Sequence, residues 1–139
     1  MALICLDTSA QSIFGSWEYS AGSESFSITL NSDGTCVESD ATTEKFGGTN
    51  YPIVCKAYGS YKLDGMFITI TINNATMQVE SMSEADKKRY KNEIDELREE
   101  IIGNAPGSVL EYEIISISND KLVLLNVDFD VEEELTRIK

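Results

Sequence analysis

The sequence predicts a mostly β domain of about eight to ten short antiparallel strands, arranged as a barrel or a sandwich, with one inserted helix at residues 83–102. The first observation is a series of evenly spaced apolar alternations separated by tight turns. The second is a single stretch in which apolar residues recur at helical spacing. The third is the length of 139 residues, which suits one domain that buries its own core.

The strands of the first half are marked by alternation. Phe26, Ile28 and Leu30 alternate with small polar residues, which is typical of a strand with one buried face. A hairpin turn is predicted at Gly34, because glycine adopts the positive φ of a tight turn. Gly65 marks a second hairpin in the same way. We also expect a polar loop at residues 40–50 and a further turn at the two asparagines 73 and 74.

The inserted helix begins at Ser83, a residue type that often caps helices. Its apolar stripe is narrow, and the remaining faces are charged. Strands resume at residues 110–114, 122–127 and 131–138. The helix therefore either covers one mouth of a barrel or packs against an open sheet, as in an α+β domain. The stripe consists of Tyr90, Ile94, Leu97 and Ile101.

Charge and composition argue against several functions. A formal net charge of −13 repels phosphate backbones and anionic lipids, so we expect neither nucleic-acid binding nor membrane-surface binding. No apolar run reaches the ~20 residues that a membrane helix needs. Histidine is absent, which removes the commonest general base and the commonest metal ligand. We therefore predict no cofactor and no metal site.

The three cysteines include no Cys-x-x-Cys pair, so neither a zinc site nor a thioredoxin-type motif is expected. Cys36 and Cys55 both lie in predicted strands. Two alternatives remain open from the sequence. The two residues form a disulfide in an oxidising compartment, or they remain half-buried free thiols.

Catalytic motifs are missing from the chain. The serines lack both a Gly-x-Ser-x-Gly frame and a histidine that would activate a hydroxyl. The segment from Asp128 is similar to the start of a calcium loop, but Glu133 stands where that loop needs glycine. The run of Glu132, Glu133 and Glu134 is typical of a solvated face rather than of an acid–base pair in a cleft. We therefore predict that the protein is not an enzyme.

Several short segments together resemble the lipocalins and the bacterial lipocalin-like domains. The first is Gly15-Ser16-Trp17 on the first predicted strand. The resemblance continues in residues 28–35, 59–65, 112–124 and 135–137. It implies a calycin-type, antiparallel up-and-down β-barrel over residues 13–139. It also implies that Arg137 stacks on Trp17 and closes the barrel beside Gly15.

The same resemblance implies non-enzymatic binding of a small apolar or amphipathic ligand inside the barrel. The alternative is a solid barrel whose charged helix, residues 83–102, contacts an unidentified partner protein. An eight-stranded barrel is compatible with both, since its interior is either filled by side chains or holds one small ligand. The aromatic residues expected to line the interior are Trp17, Phe26, Tyr61, Phe67 and Tyr112.

Residues 1–12 are interpreted as an N-terminal tether or leader remnant, because a small polar stretch follows a few apolar residues. The resemblance favours an exported, periplasmic or cell-surface protein with its export signal or lipid anchor upstream. A cytoplasmic protein is the alternative.

Overall fold

A computed structural model of the protein describes residues 13–138. The predicted tether at residues 1–12 lies outside these residues. The described part of the chain contains eight strands and, between the fifth and the sixth, two helices. In chain order the elements are β1 (Gly15–Ala21), β2 (Glu24–Leu30), β3 (Thr35–Phe46), β4 (Thr49–Asp64), β5 (Phe67–Val79), α1 (Glu84–Arg89), α2 (Lys91–Ile102), β6 (Val109–Ile117), β7 (Lys121–Asn126) and β8 (Val131–Arg137).

The eight strands form one closed antiparallel barrel in which each strand pairs with the next along the chain. Closure occurs between β1 and β8, where Trp17 pairs with Arg137 and Glu18 pairs with Thr136. Pairing of the first and last strands removes the two free edges that an open sheet would carry. The predicted mostly β, up-and-down barrel is therefore confirmed, and both the sandwich and the open sheet are excluded.

The eight strands agree with the predicted number of about eight to ten, but several are longer than the spacing of turn residues suggests. β3 continues through most of the predicted loop at residues 40–50 and pairs with β4 along its whole length. The asparagines 73 and 74 lie inside β5, beside a shift of register between Tyr58 and Gly59 on β4. They therefore mark an irregularity within a strand pair and not a turn. Pairing of long strands satisfies backbone hydrogen bonds that a loop would leave to solvent.

The inserted segment forms two helices instead of the single helix predicted, because Tyr90 interrupts the helical conformation. Ser83 caps α1 by accepting a hydrogen bond from the backbone N–H of Asp86. The ring of Tyr90 lies 6.0 Å from that of Phe46, between centroids, at the turn that joins β3 and β4. Ile94 of α2 is buried. The residues packed around it form a second, smaller core outside the barrel, made of Phe46, Ile53, Met77, Met82 and Ile94.

The interior of the barrel is filled at one end. This closed end carries the β2–β3, β4–β5 and β6–β7 turns, together with the pairing of Trp17 and Arg137. Its side chains form the main core, and those with less than 2 % of their surface exposed include Trp17, Ile28, Leu30, Ile68, Ile70, Leu122, Leu124 and Leu135. The opposite end, which we call the mouth, carries the β1–β2, β3–β4 and β7–β8 turns and the two helices.

Arg137 covers the ring of Trp17 at the closed end. Its guanidinium carbon lies 4.0 Å from the ring centroid. Arg137 Nη1 also donates a hydrogen bond to the carbonyl oxygen of Phe14 at 2.7 Å, and Nε donates to that of Asn119 at 2.6 Å. The indole N–H of Trp17 donates to the carbonyl oxygen of Ile13 at 2.9 Å. These contacts lie where β1 meets β8, a place that we call the seam. They hold the first and the last strand of the barrel together.

Cys36 and Cys55 are both free thiols. Their strands are neighbours, but Cys36 is paired with Gly59, whereas Cys55 is paired with Asp40. The two cysteines are thus offset by four residues along the ladder, which corresponds to roughly 13 Å of strand. A disulfide needs Cα atoms within about 7 Å. The sequence left open a disulfide or two free thiols for Cys36 and Cys55, and in the structure both are free thiols.

Candidate functional site

Acidic side chains replace apolar ones where the interior approaches the mouth. On β3 the inward-facing positions run from buried Cys36 to Glu38 and Asp40. On β8 the buried Leu135 is followed toward the mouth by Glu133. Because alternate residues of a strand face the same side, these carboxylates face the inside of the barrel. The mouth is therefore lined by negative charge.

Of the three carboxylates at the mouth, those of Glu38 and Glu133 are partly buried and that of Asp40 is exposed, and they lie close enough to influence one another. Burial, followed by the charges of Glu133 and Asp40, raises the pKa of Glu38 to about 7. Burial is also the main reason that the pKa values of Asp40 and Glu133 lie above their usual range. Desolvation and like charge both disfavour the ionised form of a carboxyl group. Near neutral pH, Glu38 therefore exists in both protonation states.

Two carboxylate oxygens at the mouth are buried and have no hydrogen-bond partner among residues 13–138. They are Oε1 of Glu38 and Oε2 of Glu133. None of the salt bridges in the described part of the chain involves Glu38, Asp40 or Glu133. A buried polar atom without a partner costs free energy. The mouth therefore holds hydrogen-bond acceptors that the described residues do not satisfy.

Aromatic side chains lie next to these carboxylates. The rings of Tyr19 and Phe26 are in contact, with centroids 5.7 Å apart. Tyr112 is buried, and its pKa is raised by burial and then by the charge of Glu38. The pKa of Tyr19 is raised by burial and by Glu133. Both phenols therefore stay protonated and are able to donate hydrogen bonds at the mouth.

A cavity of about 160 Å³ opens at the mouth between the barrel and the chain that follows α2. One wall carries the carboxylates of Glu38 and Asp40, and most of the remaining surface is apolar. A cavity of about 150 Å³ is large enough for a molecule the size of benzene. The lining residues are Phe26, Glu38, Asp40, Cys55, Lys56, Ala57, Ala75, Ile101, Ile102 and Ala105.

The five aromatic residues predicted to line the interior are distributed over three environments. Trp17 and Tyr61 are buried in the core of the closed end, where the Tyr61 hydroxyl donates to the carbonyl oxygen of Asn31 at 2.6 Å. Phe26 lines the cavity, and Tyr112 faces the carboxylates. The prediction was wrong for Phe67, which is 42 % exposed. Phe67 begins β5, and the isoleucines at 68, 70 and 72 occupy the inward positions of that strand.

The expectation of a solvated face was also wrong for Glu133. Glu132 and Glu134 are exposed, but the residue between them points into the barrel and has a buried oxygen. Sequence reasoning did not single out Glu38 and Asp40 at all. Their signal is their spacing, because they continue the inward positions that begin with Cys36.

A second depression lies outside the barrel, between α2 and the end of β5. It is a groove of about 440 Å³ whose walls include Met77, Ile94 and Arg98. Asp95 forms salt bridges there with Lys91 at 2.6 Å and with Arg98 at 3.2 Å. These three charges are paired with one another, and within residues 13–138 no buried side-chain oxygen or nitrogen without a partner lies in this groove.

Two further features are absent from residues 13–138. Within residues 13–138, no group of three or more His, Cys, Asp or Glu side chains is placed so that it could hold a metal ion. No helix in that range has the length and apolar character needed to cross a membrane.

The fold defines a class of protein, the closed eight-stranded antiparallel barrels, and is consistent with a calycin-like barrel. No protein-family model matches the sequence. A search of curated proteins also finds no match. A crystal structure of an uncharacterized protein from Bacteroides eggerthii DSM 20697 aligns with 90% of this chain and 98% of its own length, at 12% identity and a TM-score of 0.45. At that TM-score the match assigns neither a family nor a function.

Proposed function

We propose that the protein is a non-enzymatic binding domain of lipocalin-like type that takes a small amphipathic molecule at the mouth of its barrel. The observation that carries the proposal is the cavity of about 160 Å³, whose walls are apolar except for Glu38, Asp40 and the edge residue Lys56. Binding sites for small molecules are typically apolar clefts with a few polar groups that fix the orientation of the ligand.

The filled closed end supports binding at the mouth over binding along the whole barrel axis. Side chains with almost no exposed surface occupy the interior around Trp17, Leu30 and Leu124. Packing of that kind leaves no room for a second molecule. A ligand would therefore enter only as far as Phe26 and Glu38, and its remaining part would face Ile101 and Ile102.

The test is a fluorescence titration with N-phenylnaphthylamine, a probe that brightens in apolar sites and whose phenyl ring has the size that the cavity accommodates, while its naphthyl group stays outside the cavity at the mouth. We expect saturable binding by the unmodified protein. Ala57→Trp should abolish this binding, because the larger side chain fills the cavity that Ala57 lines. Lys62→Trp is the matched control, since Lys62 is an exposed residue of the same strand near the closed end. Absence of saturable binding, or equal loss in both variants, would contradict the proposal.

A second candidate function is contact with a partner protein through the helices. The groove between α2 and β5 favours it, since a volume of about 440 Å³ on an exposed face could receive a partner side chain. The variant Lys87→Glu with Lys91→Glu reverses two charges that line this groove. If this candidate holds, the variant loses the partner while probe binding at the mouth is unchanged. Loss of both would show that the fold is damaged.

A further inference from the structure

The walls of the mouth cavity differ in chemistry, and this difference restricts what the cavity can hold. Phe26, Ala57 and Ile102 present apolar surface, whereas Glu38 and Asp40 present two carboxylates from one strand. We propose that the cavity binds a small organic amine, with the ammonium group against Glu38 and Asp40 and the apolar body against Phe26, Ala57 and Ile102. This inference rests on the proposed function and specifies the ligand's polar end.

The unsatisfied oxygen of Glu38 is the observation that selects a hydrogen-bond donor. Glu38 Oε1 is buried and has no partner in the described part of the chain. A ligand that ends in a carboxylate or a phosphate would add negative charge to this wall. An ammonium group carries up to three donors and the opposite charge, and charge-assisted hydrogen bonds are the stronger kind. A bound amine would therefore satisfy a buried acceptor that has no partner among residues 13–138.

The positive charges within residues 13–138 do not satisfy this oxygen. Among those residues, Lys56 is the one cationic residue that lines the cavity. It is exposed, and no ion pair joins it to Glu38 or Asp40 in the described structure. The charged wall is therefore open to an external cation. An inorganic cation is a poorer fit, because no metal-ligand group lies within residues 13–138 and the other walls are apolar.

The cavity volume sets the size of the amine. A volume of about 160 Å³ accommodates one six-membered ring or a short branched chain together with a methylammonium group at the charged wall. The ring of Phe26 adds a surface that attracts cations, since an ammonium group is drawn to the face of an aromatic ring. Benzylammonium combines the two features and is the probe that we choose.

The experiment is isothermal titration of the full chain at pH 8 with benzylammonium and with benzyl alcohol, its uncharged analogue of similar shape. We expect benzylammonium to bind at least tenfold more tightly. Glu38→Gln and Asp40→Asn should each weaken the binding of benzylammonium by about tenfold or more, because each removes a charge-assisted contact. The binding of benzyl alcohol should change little.

The matched control is Glu132→Gln, which removes the same charge from an exposed position on β8. It should leave benzylammonium affinity within about twofold, since an exposed charge outside the cavity is screened by solvent. Lys56→Met should strengthen amine binding, because it removes a like charge from the cavity edge. Nα-acetyl-lysine amide, which stands for a lysine of a protein, should bind more weakly than benzylammonium.

The outcomes separate this inference from the proposed function. Suppose that benzylammonium and benzyl alcohol bind with equal affinity and N-phenylnaphthylamine still binds at the mouth. This result would overturn the inference that the ligand is an amine, but it would not contradict the proposed binding function. Unchanged amine affinity in both Glu38→Gln and Asp40→Asn would do the same. Tighter binding of Nα-acetyl-lysine amide than of benzylammonium would also overturn the inference, because it would indicate that the ligand is a lysine side chain of a protein and not a small amine. Failure of every ligand and of N-phenylnaphthylamine would overturn both proposals.

Discussion

At the scale of single residues, the protein places charge where apolar side chains would stabilise it more. Glu38 occupies an inward position next to buried Cys36, and Glu133 occupies one next to buried Leu135. Burial of a carboxylate without a partner is unfavourable. Residues that cost stability and meet in a cavity are candidates for function, because groups with a perturbed pKa cluster at functional sites. The mouth fits this description.

The charge of Glu38 should make the barrel less stable as the pH rises. Its pKa of about 7 in the folded state exceeds the ordinary value of 4.5. The folded state therefore binds this proton more tightly, and its contribution is lost progressively between about pH 4.5 and pH 7. The groups that face the same mouth are Glu24, Asp40, Glu133, Tyr19, Tyr112 and, at the cavity edge, Lys56.

Urea unfolding of Glu38→Gln at pH 5 and pH 8 checks this expectation. The variant should be more stable than the unmodified protein at pH 8 by about 1 to 3 kcal/mol, because its side chain carries no charge to bury. At pH 5 the difference should be much smaller. Glu132→Gln should show no such pH dependence, since its side chain is exposed. A difference between the two proteins that is larger at pH 5 would contradict the argument.

Gly59 is a residue that the fold requires for space. A Cβ atom at this position would lie 2.0 Å from the carbonyl oxygen of Thr71, where β4 and β5 come close. Gly59→Ala should lower the free energy of unfolding by about 1 to 3 kcal/mol, as expected for an overpacked interior site. Ser60→Ala, at the exposed neighbouring position, should change it by less than about 0.5 kcal/mol. Chemical denaturation of both variants measures the difference.

At the scale of elements, the helices depend on a core that is separate from the barrel. Of the stripe predicted from Tyr90, Ile94, Leu97 and Ile101, the first three pack against the outer halves of β3, β4 and β5. The prediction was wrong for Ile101, which is 44 % exposed, and Ile102 packs there instead. Those strands extend beyond the barrel and present Phe46, Ile53 and Met77 to the helices. The lengths of three strands therefore determine where the end of α2 lies relative to the cavity.

Ile94→Ala should destabilise this outer core. Ile94 is 7 % exposed and packs among Phe46, Ile53, Met77 and Met82. Truncation of a buried isoleucine costs about 2 to 4 kcal/mol through lost burial and the resulting void. Thermal unfolding followed by circular dichroism should show a lower Tm. Glu93→Ala, on the exposed face of α2, is the control and should leave the Tm almost unchanged. Equal effects of the two substitutions would show that α2 is not packed as described.

At the scale of the whole molecule, closure depends on a residue near the end of the chain. Arg137→Ala removes the contact with the ring of Trp17 and two hydrogen bonds to backbone carbonyls. We expect a loss of about 1 to 3 kcal/mol in the free energy of unfolding, combining the cation–π and hydrogen-bond contributions. The emission of Trp17 should also shift. Lys121→Ala, a surface change on β7, should affect neither quantity. An unaltered stability and emission in Arg137→Ala would refute closure by this residue.

Structural features that depend on neighbouring residues could be predicted from the sequence, whereas contacts between residues far apart in the chain could not. Alternation around Phe26 and the turns at Gly34 and Gly65 depend on neighbours in the chain, so the hairpins could be predicted. Glu38 and Glu133 are 95 positions apart by their numbers, and they meet only because eight strands pair in one register. The helix break at Tyr90 depends on the turn between β3 and β4, and no local pattern indicates it.

The ladder at the seam between β1 and β8 has a consequence for the rim of the barrel. It contains two residue pairs, both toward the closed end, whereas β1 pairs with β2 along its whole length. On the mouth side, β8 is held by its ladder to β7 and not by one to β1. The barrel is therefore closed by a ladder of two residue pairs that lies toward its closed end. Widening of the rim beside Glu133 would therefore break neither of the two residue pairs that join β1 to β8.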